Sequence, residues 1–109
     1  MGLFDMLMGM GVGVDINAKV DEARQDDNAI LLDVRTREEY NAGHIEGAVC
    51  IPLDQISKAA RLYGNKSLYV YCASGSRSAQ AVSMLKQAGV QQVENIGGIG
   101  GYRGTVVRG

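Results

Sequence analysis

The sequence predicts an α/β domain built on a mostly parallel sheet covered by helices on both faces. Short apolar, β-branched runs alternate with segments of helical period along the chain, the pattern of strands joined by crossover helices. The central run Ala29-Ile-Leu-Leu-Asp-Val34 is continuously apolar up to its acid, which suits a strand buried on both sides. Size agrees: with 109 residues, 46% of them hydrophobic, the chain makes one domain and not two. Such a domain buries enough apolar surface to fold without disulfides or a structural metal.

The elements follow in order. Residues 1–10 are rich in Met and Gly and read as a flexible apolar segment, with residues 11–109 as the single domain. The opening MGLFDMLMGMGVGV is shorter than a membrane span and broken by glycines. It has no basic residue before Lys19, and Met6 stands where a myristoylation signal needs Ser or Thr. Gly11 to Val14 reads as a short edge strand. Asp15 caps a helix to about Gln25, with Ile16, Val20 and Ala23 as its buried stripe. After the turn Asp26-Asp27-Asn28 comes the strand 29–34. Thr36-Arg-Glu-Glu39 is a capping box that opens a second helix, and Gly43 ends it as a left-handed cap. Gly47 to Ile51 is a strand closed by Pro52, and Leu53 to Ala60 a short helix. Leu68-Tyr-Val-Tyr-Cys72 is the strongest strand. A loop from Ala73 to Arg77 leads to a helix over Ser78 to Ala88, with Ala81, Val82, Leu85 and Ala88 on one face and Gly89 at its end. Val93 to Ile96 is the last strand, and Gly97 to Gly104 a glycine-dense loop.

Charge excludes some functions. With 11 basic and 12 acidic residues and a net charge of -1, nothing draws the chain as a whole to nucleic acid or anionic membrane. Anion recognition must come from local geometry. Two cysteines, Cys50 and Cys72, and one histidine, His44, form neither a disulfide framework nor a metal-ligand spacing. The expectation is a reducing compartment, the cytoplasm, with no metal and no cofactor.

In parallel sheets the ligand crevice lies beyond the carboxyl ends of the strands. Asp33 and Arg35 fall at one such end and Cys72 at another. The segment Cys72-Ala73-Ser74-Gly75-Ser76-Arg77-Ser78 places a thiol at the end of a buried strand, a tight small-residue turn after it, and a helix start carrying Arg and Ser. Three effects act on the sulfur: free N–H groups of the turn, the positive end of the helix dipole, and the Arg77 guanidinium. All favour thiolate, so the Cys72 pKa should fall below its free value of ~8.5. Gly75 supplies the backbone freedom that a loop closing on its own sulfur requires.

The chain resembles a rhodanese domain from about Asp15 to Arg103. The matching pieces are Leu32-Asp-Val-Arg-Thr-Arg-Glu-Glu-Tyr40, Gly43-His-Ile-Glu-Gly-Ala48 with Ile51-Pro-Leu53, the loop Cys72 to Ser78, and Gly97-Gly98. The resemblance implies a five-stranded parallel α/β fold and sulfurtransferase activity. It implies that Cys72 is the nucleophile, taking a sulfane sulfur from thiosulfate or a persulfide and handing it to cyanide, a thiol or a partner protein. The sequence departs from the family pattern at Cys50, where Asn is common, and in offering Ile99 and Tyr102 where Trp usually follows Gly-Gly.

The remaining candidates take supporting roles. His44 sits in a Gly-His-Ile turn and reads as structural, since a thiolate held by its loop needs no base. Cys50 reads as a small buried hydrophobe, with a resolving thiol for Cys72 as the lesser alternative. Asp33 and Arg35 read as a support for the active loop, or as lining of its mouth. Tyr69 and Tyr71 read as sheet core. Two rival functions remain. A phosphatase or arsenate reductase also uses Cys, an amide cradle and Arg, but at Cys-x5-Arg, whereas Cys72 to Arg77 is Cys-x4-Arg. A non-catalytic binding module, or a persulfide carrier using the same residues, is the other.

Overall fold

A computed structural model describes residues 14–109. The flexible segment read over residues 1–10 and the strand read from Gly11 lie outside these residues, apart from Val14. Four strands form a parallel central sheet, β1 (Ala29–Asp33), β3 (Val49–Cys50), β4 (Ser67–Cys72) and β5 (Val93–Gly98), in the order β3-β1-β4-β5. β2 (His44–Ile45) and β6 (Val106–Val107) pair antiparallel as a separate ribbon. The helices are α1 (Ile16–Arg24), α2 (Arg37–Ala42), α3 (Ile56–Tyr63) and α4 (Ser76–Gln87).

Strand alternation divides the core in two. Leu32, Val34, Leu68, Val70 and Cys72 face Ile56 and Ala59 of α3 and Ala81 and Leu85 of α4. Leu31, Tyr69, Tyr71 and Ile96 face Ile16, Val20 and Ala23 of α1. The α1 stripe is therefore the one its sequence spells, and Asp15 caps it by accepting from the Asn17 N–H at 3.0 Å. Each fully buried Leu or Ile side chain stabilises the fold by roughly 1.5–3 kcal/mol. No helix among the described residues is long and apolar enough to cross a membrane.

Several boundaries differ from the sequence reading, each for a physical reason. α4 starts at Ser76 rather than Ser78, because the chain reverses at Gly75 in one residue. Its buried stripe is Ser78, Ala81 and Leu85, while Ala88 is exposed. Ser78 is fully buried, so a polar residue occupies a core position and needs partners. The segment after Pro52 opens with a single 3-10 turn, Leu53–Gln55, before α3 begins at Ile56. Gly43 is not left-handed: at φ 163 it is extended, since the chain runs directly into β2. The β2–β6 ribbon escaped the sequence reading because two-residue strands carry no periodicity.

Candidate active site

Cys72 ends β4 with its side chain on the α4 side of the sheet, fully buried. Gly75, at φ 103, turns the chain back over it and serves as the N-cap of α4, a position where a side chain normally accepts a helix N–H. Glycine has none to offer. The Cys72 sulfur takes that place: the Gly75 N–H donates to Sγ at 3.0 Å and the Ser78 N–H at 3.4 Å. The Ser78 hydroxyl adds a third hydrogen bond at 3.4 Å. Burial alone pushes the Cys72 thiol up. The Ser78 hydroxyl and the N–H groups of Ser78, Gly75 and Ser74 outweigh it, and the net effect is a lowered pKa. Cys50 moves the other way, pushed up by burial. Above the sulfur, Ala73, Ser74 and Ser76 are exposed and Gly75 and Arg77 half-buried.

A residue that sequence reasoning missed locks this cradle. Asn95 on β5 pairs with Val70 in register, and its side chain reaches the loop. Asn95 Nδ2 donates to the Gly75 carbonyl at 3.1 Å, and its Oδ1 accepts from the Ser78 hydroxyl at 2.7 Å and the Gly97 N–H at 2.9 Å. The register shift between β4 and β5 at Val70/Tyr71 then carries Gly98 against the loop. A Cβ on Gly98 would lie 2.4 Å from the Ala73 carbonyl oxygen, so only glycine fits there. The available signal was a polar residue in the middle of a strand packed under α4.

Arg77 directs its hydrogen bonds to Glu39 and not to the sulfur, and its pKa is raised first by Glu39 and also by the nearby Cys72 charge. Its Nη1 and Nη2 donate to the two carboxylate oxygens of Glu39 at 2.7 and 3.0 Å, a bidentate pair joining α4 to α2. Glu39 also completes the capping box, accepting from the Thr36 N–H at 3.0 Å. Arg77 and then the Thr36 N–H hold its carboxyl down to about 2. The sulfur thus rests on amides and a hydroxyl, while Arg77 ties the loop to α2.

Asp33 and Arg35 lie on the opposite face of the sheet from Cys72. Arg35 donates to Asp33 through Nε at 3.0 Å and Nη2 at 2.8 Å, and to the Gly43 carbonyl at 2.7 Å. Both are buried, so this pair fixes the turn from α2 into β2 and does not line a mouth. Tyr71 accepts from the Ile45 N–H at 3.1 Å on the same face. His44 stacks on Tyr40 at 3.6 Å between ring centroids, its Nδ1 2.8 Å from the Tyr40 carbonyl, a structural role. Tyr69 donates to Glu22 at 2.8 Å. Cys50 registers with Asp33, and Asp33 with Tyr71. Cys50 is therefore two strands from Cys72 and on the other face of the sheet, too far for a disulfide without rearrangement. The resolving-thiol alternative has no geometry.

A parallel α/β sheet with a thiol cradled by hydrogen-bond donors at a strand end, before a helix N-terminus, defines a cysteine-centred site. The sequence matches the model of the rhodanese-like domain over residues 17–104, and the chain belongs to that family. It is 37% identical over 84 residues to the Bacillus subtilis protein YrkF, named for sulfur carriage, covering 76% of this chain and 45% of YrkF. It is 38% identical over 71 residues to the thiosulfate sulfurtransferase PspE of Escherichia coli, covering 62% of this chain and 68% of PspE. It is 35% identical over 91 residues to the tRNA uridine(34) hydroxylase of Cronobacter sakazakii, covering 77% of this chain and 25% of the hydroxylase. The chain thus spans less than half the length of YrkF and of the hydroxylase. Among solved structures, a rhodanese with anions from E. coli aligns with a TM-score of 0.67 and 34% identity, over 74% of this chain and 99% of that one. The rhodanese-like domain of the Anabaena protein Alr3790 aligns at 0.73 and 32%, over 84% and 76%.

Proposed function

We propose that this domain is a sulfurtransferase that carries sulfane sulfur as a persulfide on Cys72. The observation that carries the reading is the set of three hydrogen-bond donors on one buried sulfur, which together with the Ser74 N–H outweigh burial and favour the anion. The Cys72 thiolate attacks the outer sulfur of thiosulfate or of a persulfide. As the new S–S bond forms, the donor's S–S bond breaks and its electron pair leaves with sulfite or a thiolate. Donors already aimed at the negative sulfur need no reorganisation as charge moves, so the gain is electrostatic. Cyanide, a thiol or a partner protein then takes the outer sulfur and returns Cys72 as thiolate. The two free thiols, Cys50 and Cys72, suit a reducing compartment such as the cytoplasm.

The complete burial of Cys72 also suits a carrier, in which the persulfide is sheltered until an acceptor arrives. The same residues serve both roles and only the acceptor differs. A phosphatase role fits less well, because the arginine that would fork onto an oxyanion is held by Glu39.

Intact mass after incubation with thiosulfate or a persulfide donor tests the reading. The expected result is a one-sulfur adduct on the wild type, removed by cyanide or reductant and absent in Cys72→Ser. No adduct with either donor, or one that survives Cys72→Ser, rejects it. An adduct released rapidly to free cyanide or thiol marks an enzyme, and one that persists until a protein acceptor is added marks a carrier.

A further inference from the structure

Two arginines lie beside the loop that covers the sulfur, and each has an acid near it. Arg77 is forked onto Glu39 through both terminal nitrogens. The hollow beside it has a volume of ≈ 420 Å³ and is lined by Val34, Pro52, Leu53 and Met84, with Asp54 as its other charged residue. On the far side of the loop, Arg103 shares a hollow with Ser74 and with Asp15, whose carboxyl is held down by Asn17 first and by the Arg103 charge as well. Among the described residues, neither hollow is lined by a cation without an acid beside it. A dianion such as thiosulfate must give up its water shell on entering. A guanidinium already paired with a carboxylate compensates little of that cost.

From this we infer that Glu39 is a specificity-determining residue, which by occupying Arg77 biases Cys72 against small dianionic donors and toward sulfur delivered as an uncharged or weakly charged persulfide. The inference rests on the sulfurtransferase reading and names its donor class. The reaction it favours is Cys72–S⁻ with R–S–SH giving Cys72–S–SH and R–S⁻. One S–S bond breaks as another forms, the proton stays on the outer sulfur, and the electron pair leaves with the donor thiolate. The disfavoured reaction has the same form, with sulfite leaving.

Glu39→Gln tests this, because Gln keeps the shape of the capping box while removing the charge. The measurement is the second-order rate of Cys72 persulfide formation, by mass, from thiosulfate and from N-acetylcysteamine hydropersulfide, which carries no charge beyond the single one its –SSH group can acquire. The expected result is that Glu39→Gln accelerates thiosulfate loading by about tenfold, the scale of one additional charge-assisted hydrogen bond between Arg77 and the donor, and leaves the hydropersulfide rate within about twofold. An unchanged or slower thiosulfate rate overturns the inference, as does an equal rise with both donors, which marks a mere clasp on the loop. The wild type gives an independent check: its thiosulfate rate should change little with ionic strength, and a rate that falls steeply with salt reveals an uncompensated cation and overturns the inference. Sulfur loading of the wild type from neither donor overturns the functional reading, and this inference with it. Loading from both with the wrong ratio overturns this inference alone.

Discussion

Ser78 holds one hydroxyl hydrogen between two acceptors, Asn95 Oδ1 at 2.7 Å and Cys72 Sγ at 3.4 Å. With a neutral thiol the nearer amide oxygen is the better acceptor, and with a thiolate the sulfur is. Ser78→Ala removes this adjustable donor, and the Cys72 pKa should rise by about one unit, the weight of one hydrogen bond to a charged sulfur. The thiolate absorbance of the variant as a function of pH checks it. Asn95→Ala removes the competing acceptor and leaves that hydrogen to the sulfur, so the Cys72 pKa should not rise as it does in Ser78→Ala. On the far face, Asp33→Ala leaves the buried Arg35 guanidinium without its partner. Urea unfolding should show a loss of about 3–5 kcal/mol, with the Cys72 pKa unmoved. At this scale the sequence was readable wherever a residue acts on its neighbours in the chain. Cys72, Gly75, Ser78 and the Thr36–Glu39 box all work locally. Asn95 and the Glu39–Arg77 pair were hidden because each joins elements distant in sequence, and because Glu39 already had a sufficient role as a capping residue.

The element that makes the site is the junction of β4 and α4, and it depends on two glycines for different reasons. Gly75 turns the chain at φ 103, where a side chain costs about 1–2 kcal/mol. Gly98 lets β5 approach the loop so closely that a Cβ would strike the Ala73 carbonyl. Gly98→Ala must therefore push the loop outward. The expected outcome is slower persulfide formation by at least about tenfold, the cost of misplacing donors tuned to one sulfur, while circular dichroism retains the α/β signal. An unaltered loading rate would mean that the cradle does not depend on β5. The strands and helices were legible because burial on two faces writes itself into apolar runs and stripes, as at Ala29–Asp33 and in Ile16, Val20 and Ala23 of α1. The start of α4 was not, because the residue that caps it is the sulfur of Cys72, and no capping preference anticipates a thiol.

For the whole molecule, charge pairing links the site to stability. Glu39 titrates at about 2 when folded against 4.5 for a free carboxyl. A depressed carboxyl contributes stability that is present above the unfolded value and lost as pH falls through the folded one. Thermal unfolding should therefore show stability declining between about pH 4.5 and 2, and Glu39→Gln should lack that part of the decline. Because Arg77 and Glu39 keep 33% and 35% of their side chains exposed, water screens the pair, and the difference should be no more than about 1 kcal/mol. A variant with an unaltered acid limb would show that the pair contributes nothing to folding. The two-layer arrangement around a parallel sheet was legible from the alternation of elements. The β2–β6 ribbon, which closes the tail of the chain against the turn after α2, was not, because its pairing is set by the packed body of the protein and not by its own four residues.

The proposed sulfur transfer turns on whether the loop amides hold Cys72 as an anion. Thiolate absorbance measured against pH, with Cys72→Ser as the blank, reads that charge directly and requires no reagent to reach a buried sulfur. An inflection clearly below the free-thiol value of ~8.5 is the predicted result. An inflection at or above that value would contradict it.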